Sequence, residues 1–255
     1  MTIRSDGDDP ALPLTARSVL ASGLLGMDPP ELPVAQLVRL TGLFGISENG
    51  ARVALSRMIA TGEATTDGSG RYRLAGHLAA RQSRQSASRA GATARYDGEW
   101  WLAVVTTTGS SADVRGARRR TLAYGRLAEL REGVWMRPAN LAVRLPDPLD
   151  GDIELMRARP GDAPGLARRL WDLAGWSERA RVLSRRLDAL PPDGPAALAP
   201  GFELSAAVLR HLQADPLLPS ELLPADWPGV SLRANYDRWD ARYRATLSDW
   251  SGDRA

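Results

Sequence analysis

Residues 46–59, ISENGARVALSRMI, restrict this chain more than any other segment does. Ser47 is placed to cap a helix by accepting a backbone N–H, and Ala51, Ala54, Leu55, Met58 and Ile59 recur at i, i+3, i+4, i+7 and i+8. At about 100° per residue these form one apolar stripe, and the opposite face collects Asn49, Arg52, Val53, Ser56 and Arg57. Asn, Arg and Ser donate to base edges and phosphates. Gly62 supplies a helix stop. Residues 63–66 and 71–74 are then β-capable runs joined by Asp67-Gly68-Ser69-Gly70, with Arg71 and Arg73 on the second strand. The pattern is that of a DNA-recognition helix followed by a wing. Capped amphipathic helices beside hairpins also occur in proteins that never touch DNA, so the neighbouring segments decide.

Upstream, residues 15–25 and 33–40 read as two short helices. Thr15 is the N-cap of the first, Val19, Leu20, Leu24 and Leu25 are its apolar side, and Pro33 opens the second. Residues 42–46 turn into the third helix, with Phe44 and Ile46 as core. Three helices and a wing make the winged helix-turn-helix plan. In that plan Asn49, Arg52 and Ser56 read bases, while Arg39, Arg57, Arg71 and Arg73 hold phosphate or a groove edge.

Charge follows the same boundary. The chain carries only +3 overall, yet residues 39–95 hold nine arginines against Glu48, Glu63 and Asp67, a net of +6, whereas residues 96–255 balance 22 arginines with 22 acidic residues. That concentration suits a footprint on phosphate. All 33 basic residues are arginine, a bias of the Ala-, Gly- and Arg-rich composition that assigns no site.

The absences bound the chemistry. With no cysteine there is no disulfide, thiolate nucleophile or Cys-based metal site, and with no lysine there is no Schiff base or P-loop lysine. His77 and His211 lie in no catalytic frame, so no catalytic, cofactor or metal residue is assigned and the chain reads as a non-enzyme. No stretch approaches about 20 apolar residues, and residues 1–13 read as a disordered tail without a signal-peptide core. A cytoplasmic protein is expected.

Beyond the wing, residues 78–93 (LAARQSRQSASRAGAT) read as an exposed basic helix running into a linker. Residues 100–105 have the apolar character of a buried strand, 112–131 of an Arg-rich helix, and 132–138 and 152–157 of further strands. Trp100, Trp101, Trp135 and Trp171 are read as core. A strand-helix-strand-strand order fits a small ferredoxin-like sandwich. Helices follow at 171–190, 202–213 and 231–250, the last carrying Tyr236, Trp239 and Tyr243. The expected class is α+β: tail 1–13, winged helix-turn-helix 14–76, basic helix and linker 77–95, ferredoxin-like domain 96–165 and helical C-terminal domain 166–255.

Four stretches resemble the PaaX-type repressors: the recognition segment 51–58 with the wing Gly70-Arg71-Tyr72-Arg73-Leu74; Tyr96-Asp97-Gly98-Glu99-Trp100; Tyr124 to Leu127 with Gly133 to Pro138; and, most specific, DPLLPSELLPADWPG at 215–229. Val53 stands where the family pattern has a hydroxyl residue. The resemblance implies a homodimeric transcriptional regulator, usually a repressor, on a palindromic double-stranded DNA operator, released by an aryl- or acyl-coenzyme A effector whose pocket leaves no local motif. The alternatives are a regulator with a non-thioester ligand or none, and a metal-dependent nuclease built on the middle domain. The latter would have to gather Mg²⁺ ligands from Asp97, Glu99 and Asp113.

Overall fold

The structure is a computed structural model and describes residues 15–27, 29–91, 93–143 and 151–251. The expected tail at 1–13 lies outside the described residues. The elements are α1 (Ala16–Leu25), β1 (Glu31–Pro33), α2 (Val34–Gly42), α3 (Glu48–Ala60), β2 (Ala64–Thr66), β3 (Arg71–Leu74), α4 (Gly76–Ala90), β4 (Trp100–Val105), α5 (Ala112–Tyr124), β5 (Ala128–Arg131), β6 (Val134–Pro138), β7 (Ile153–Ala158), α6 (Ala163–Leu170), α7 (Leu173–Ala189), α8 (Leu198–Gln213) and α9 (Gly229–Ser251). They form two units, Met1–Ala87 with Arg186–Arg210 and Asn235–Ala255, and Ser88–Arg185 with His211–Ala234.

In the first unit Thr15 caps α1, its side chain accepting from Ser18 N, and Ser47 caps α3 by accepting from Gly50 N. Leu20, Leu24 and Leu25 of α1 close over Leu37 of α2, Leu55 and Met58 of α3, and Leu74 of β3 in one buried cluster. Helices α1 and α2 approach closely enough that a Cβ on Gly23 would stand 2.4 Å from Leu40 Cδ2. The expected β2–β3 hairpin forms and gains a strand that the sequence reading did not assign: β1 pairs antiparallel with β3, Glu31 opposite Arg73, in the order β1-β3-β2. Pro33 therefore ends a strand and caps α2 rather than occupying its first turn.

Three residues expected in the core lie outside it or only half within it. Ile59 is 38% exposed because it sits about 70° from the centre of the Ala51–Leu55–Met58 stripe. Phe44 and Ile46 are half-buried, with Phe44 tilted against Phe202 at 5.2 Å. Helix α4 is not wholly solvated either, since Gln85 is buried and its Nε2 donates to Leu25 O. The aromatic stripe of α9 is buried within the same unit. Trp239 stacks on Tyr243 at 5.0 Å, Trp239 Nε1 donates to Leu190 O, and Tyr243 OH donates to Leu198 O.

The second unit is built on an antiparallel sheet in the order β5-β6-β4-β7. One side packs Trp100 and Met136 against Leu166, Leu173, Leu218 and Leu222; the other packs Ala103 and Trp135 against Leu122 and Leu127 around α5. Trp100 and Trp135 are core as expected, whereas Trp101 and Trp171 are half-buried, and Arg157 lies 3.6 Å from the Trp101 ring centroid. The helix expected over 112–131 stops at Tyr124, and 128–131 is strand β5. Helix α6, capped by Asp162, lies where no helix was expected.

The DPLLP segment owes its burial to arginines. Arg126 donates to Gln213 O, Asp215 O and Ser88 Oγ, while Arg233 pairs with Asp215 Oδ2 at 2.8 Å. Arg137, fully buried, donates to Asn140 Oδ1 and the carbonyls of Pro138 and Leu217. Burial first, and then the neighbouring charge of Arg126, pushes the Arg137 guanidinium down. Arg126 (φ 60°) and Leu217 (φ 50°) take left-handed backbone conformations at this contact. Side chains favour those conformations only where surrounding bonds hold them.

Candidate nucleic-acid interface

Helix α3 turns its apolar stripe inward, which leaves Asn49, Arg52, Val53, Ser56 and Arg57 exposed along one side. Arg39 is exposed in the last turn of α2. Strand β3 alternates Arg71 and Arg73 outward with Tyr72 and Leu74 inward, as a two-residue period requires. All seven residues read from the sequence as DNA-contacting are therefore on the surface of the first unit.

They are not equally available. Arg52 is held by Glu48 one turn earlier, with Nε to Oε1 at 2.8 Å. Arg71 and Arg73 both reach Glu31 across the β1–β3 ladder, Arg71 Nη2 at 3.4 Å and Arg73 Nε at 2.9 Å. The hydrogen bond from Arg73, joined by the nearby charges of both arginines, holds the Glu31 carboxyl below its ordinary range. Arg57 makes no side-chain hydrogen bond or ion pair among the described residues.

The supports are local. Asp67 Oδ1 accepts from Ser69 N and Arg71 N, and Oδ2 from Ser69 Oγ, so one carboxylate shapes the hairpin tip, with Gly68 and Gly70 at positive φ. At the base of the hairpin Glu63, with a side chain 11% exposed, takes a forked pair from Arg17 of α1 and has His77 Nε2 at 3.7 Å. The Arg17 hydrogen bonds hold the Glu63 carboxyl below its usual range. Glu31, Arg17 and Glu63 were missed as parts of the site. Only the strand partner of Arg73 and the fold of α1 over the hairpin bring them in, and neither leaves a motif.

The middle-domain carboxylates are engaged otherwise. Asp97 Oδ1 accepts from Glu99 N, and Glu99 lies within ion-pair distance of Arg157 and Arg159. Among the described residues no three His, Asp or Glu side chains gather as a metal site. No helix among them is long and apolar enough to cross a membrane.

Residues 15–78 match the family model described as PaaX-like protein, and residues 173–251 match PaaX-like protein C-terminal domain, domains that fit a family of transcriptional regulators. A solved structure titled "Uncharacterized protein Rv0674 from Mycobacterium tuberculosis" is similar with 40% identity and a TM-score of 0.75, covering 94% of this chain and 99% of its own. No curated protein matches. The chain belongs to the PaaX-like family.

Proposed function

We propose that the protein is a sequence-specific DNA-binding repressor that acts as a homodimer on a palindromic operator and is released by an aryl- or acyl-coenzyme A effector. The observation that carries the DNA half is the exposed row Asn49, Arg52, Ser56 and Arg57 on a capped helix beside a hairpin bearing Arg71 and Arg73. In this reading residues 14–76 are a winged helix-turn-helix, with α3 in the major groove and the β2–β3 wing along the backbone, and two copies set their α3 helices about 34 Å apart. Residues 77–95 lead to a ferredoxin-like domain at 96–165, a reading the strand order β5-β6-β4-β7 supports, and 166–255 form the helical C-terminal domain. Dimerisation and the thioester effector are carried into this reading from the resemblance to the PaaX-type repressors.

The test is fluorescence anisotropy with labelled DNA from the protein's own promoter region against random duplex, titrated first with salt and then with phenylacetyl-coenzyme A and other acyl thioesters. Preference for the promoter that one thioester abolishes is the expected result. Equal affinity for both duplexes would overturn the reading.

A further inference from the structure

The first unit contains a recess of about 100 Å³ between α1, α4, α8 and α9. Its buried wall includes Leu25, Leu40, Phe202 and Leu209. Asp240 is the one carboxylate among its lining residues, and it is already matched by Arg244, whose Nε donates to Oδ2 at 2.9 Å and whose Nη2 donates to Gly26 O. Arg81 of α4 and Arg210 of α8 line the same recess and make no side-chain hydrogen bond or ion pair among the described residues. An apolar hollow with two uncompensated guanidiniums selects for a molecule that is apolar at one end and anionic at the other. The volume is near that of a single ring or short chain, about 150 Å³ being enough to admit benzene.

Helix α1 is a wall of this recess and of the α3 core at once. Leu25 and Leu32 line the recess and also belong to the cluster that holds Leu55 and Met58, while Gly26 O and Leu25 O are tied to α9 and α4 through Arg244 and Gln85. A molecule seated here bears on the helix that positions α3.

We propose that this recess binds a small organic anion, its ring-sized or short-chain body against Leu25, Leu40 and Phe202 and its carboxylate or phosphate within reach of Arg81 and Arg210, and that occupancy changes DNA affinity through α1. The second part rests on the DNA-binding reading above. Isothermal titration of the full chain with benzoate, hexanoate and phenyl phosphate, against benzyl alcohol and hexanol, tests it without DNA. The anions are expected to bind at least about tenfold more tightly than the alcohols, the stronger of carboxylate and phosphate identifying the charged group, and the Arg81→Gln/Arg210→Gln variant is expected to lose about tenfold. Ala206→Trp, which fills the recess, abolishes binding; if it fails to fold, the arginine variant, altered only at exposed positions, still decides. No binding at millimolar probe, equal binding of alcohols and anions, or indifference to the arginine variant overturns the site. Anisotropy with saturating probe is expected to shift promoter affinity severalfold in the native chain but not in the variant, and no shift overturns the coupling. Probe binding without any promoter preference would defeat the regulator reading and leave the site standing, and the reverse pattern would do the opposite.

Discussion

Arg71 and Arg73 share a single carboxylate, so the hairpin offers phosphate less positive charge than its sequence suggests. Binding DNA means exchanging Glu31 for phosphate or gripping both. Glu31→Ala frees the two guanidiniums and is expected to tighten binding severalfold on promoter and random duplex alike, with a steeper dependence of log K on log salt. Anisotropy at several salt concentrations checks it, and an unchanged slope would place the hairpin off the DNA. Arg52 is expected to behave differently because it lies on α3 among the exposed residues proposed to meet base edges. Arg52→Ala is expected to cost about 1–3 kcal/mol on the promoter and little on random DNA. Equal losses on both would make it a phosphate contact.

Among the elements, α1 and α2 cross at Gly23, where any side chain meets Leu40. Gly23→Leu is expected to cost about 2–3 kcal/mol by overpacking a buried crossing, read as a lowered melting temperature. Helices α1 and α3 and the hairpin were legible because each carries its own punctuation: Thr15 and Ser47 as caps, Gly62 as a stop at φ +70°, and Asp67-Gly68-Ser69-Gly70 as a turn. The seven candidate contact residues were legible for the same reason, since the inward stripe of α3 fixes its outward face. What was missed depends on distant partners. Residues 112–131 are rich in helix formers, and α5 ends where Arg126 leaves the helical conformation and bonds Gln213 O, Asp215 O and Ser88 Oγ, a bond set that spans the chain. Strand β1 is three residues long and exists only because β3 is there to pair with. Helix α6 is an exception, since Asp162 and Pro164, a cap and a first-turn proline, mark its start in the sequence itself.

At the scale of the whole molecule, the second unit is secured by groups that pH and mutation can address. Asp215 is the buried carboxylate that faces Arg233 and Arg126, so Asp215→Ala is expected to cost about 3–5 kcal/mol by leaving buried guanidiniums without an anion, measured by denaturant melts. His211 is stacked on Trp176 at 4.4 Å and donates from Nε2 to Trp176 O, and burial pushes its pKa down from 6.5 to about 4. Between those values the unfolded chain binds the extra proton, so stability declines as pH falls from 6.5 towards 4, by about 1–2 kcal/mol once partial solvent access is allowed for. His211→Gln should flatten that decline, and an unaltered pH profile would show that the ring is solvated.

The two units pass the chain back and forth four times, with α7, α8 and α9 each belonging partly to one and partly to the other. No single cut releases either unit intact. On the proposed function, a chain assembled this way cannot trade its DNA-binding end as a cassette: a new operator preference would have to arise by substitution within α3 and the hairpin, and hybrids joined near residue 87 would inherit an unfinished half.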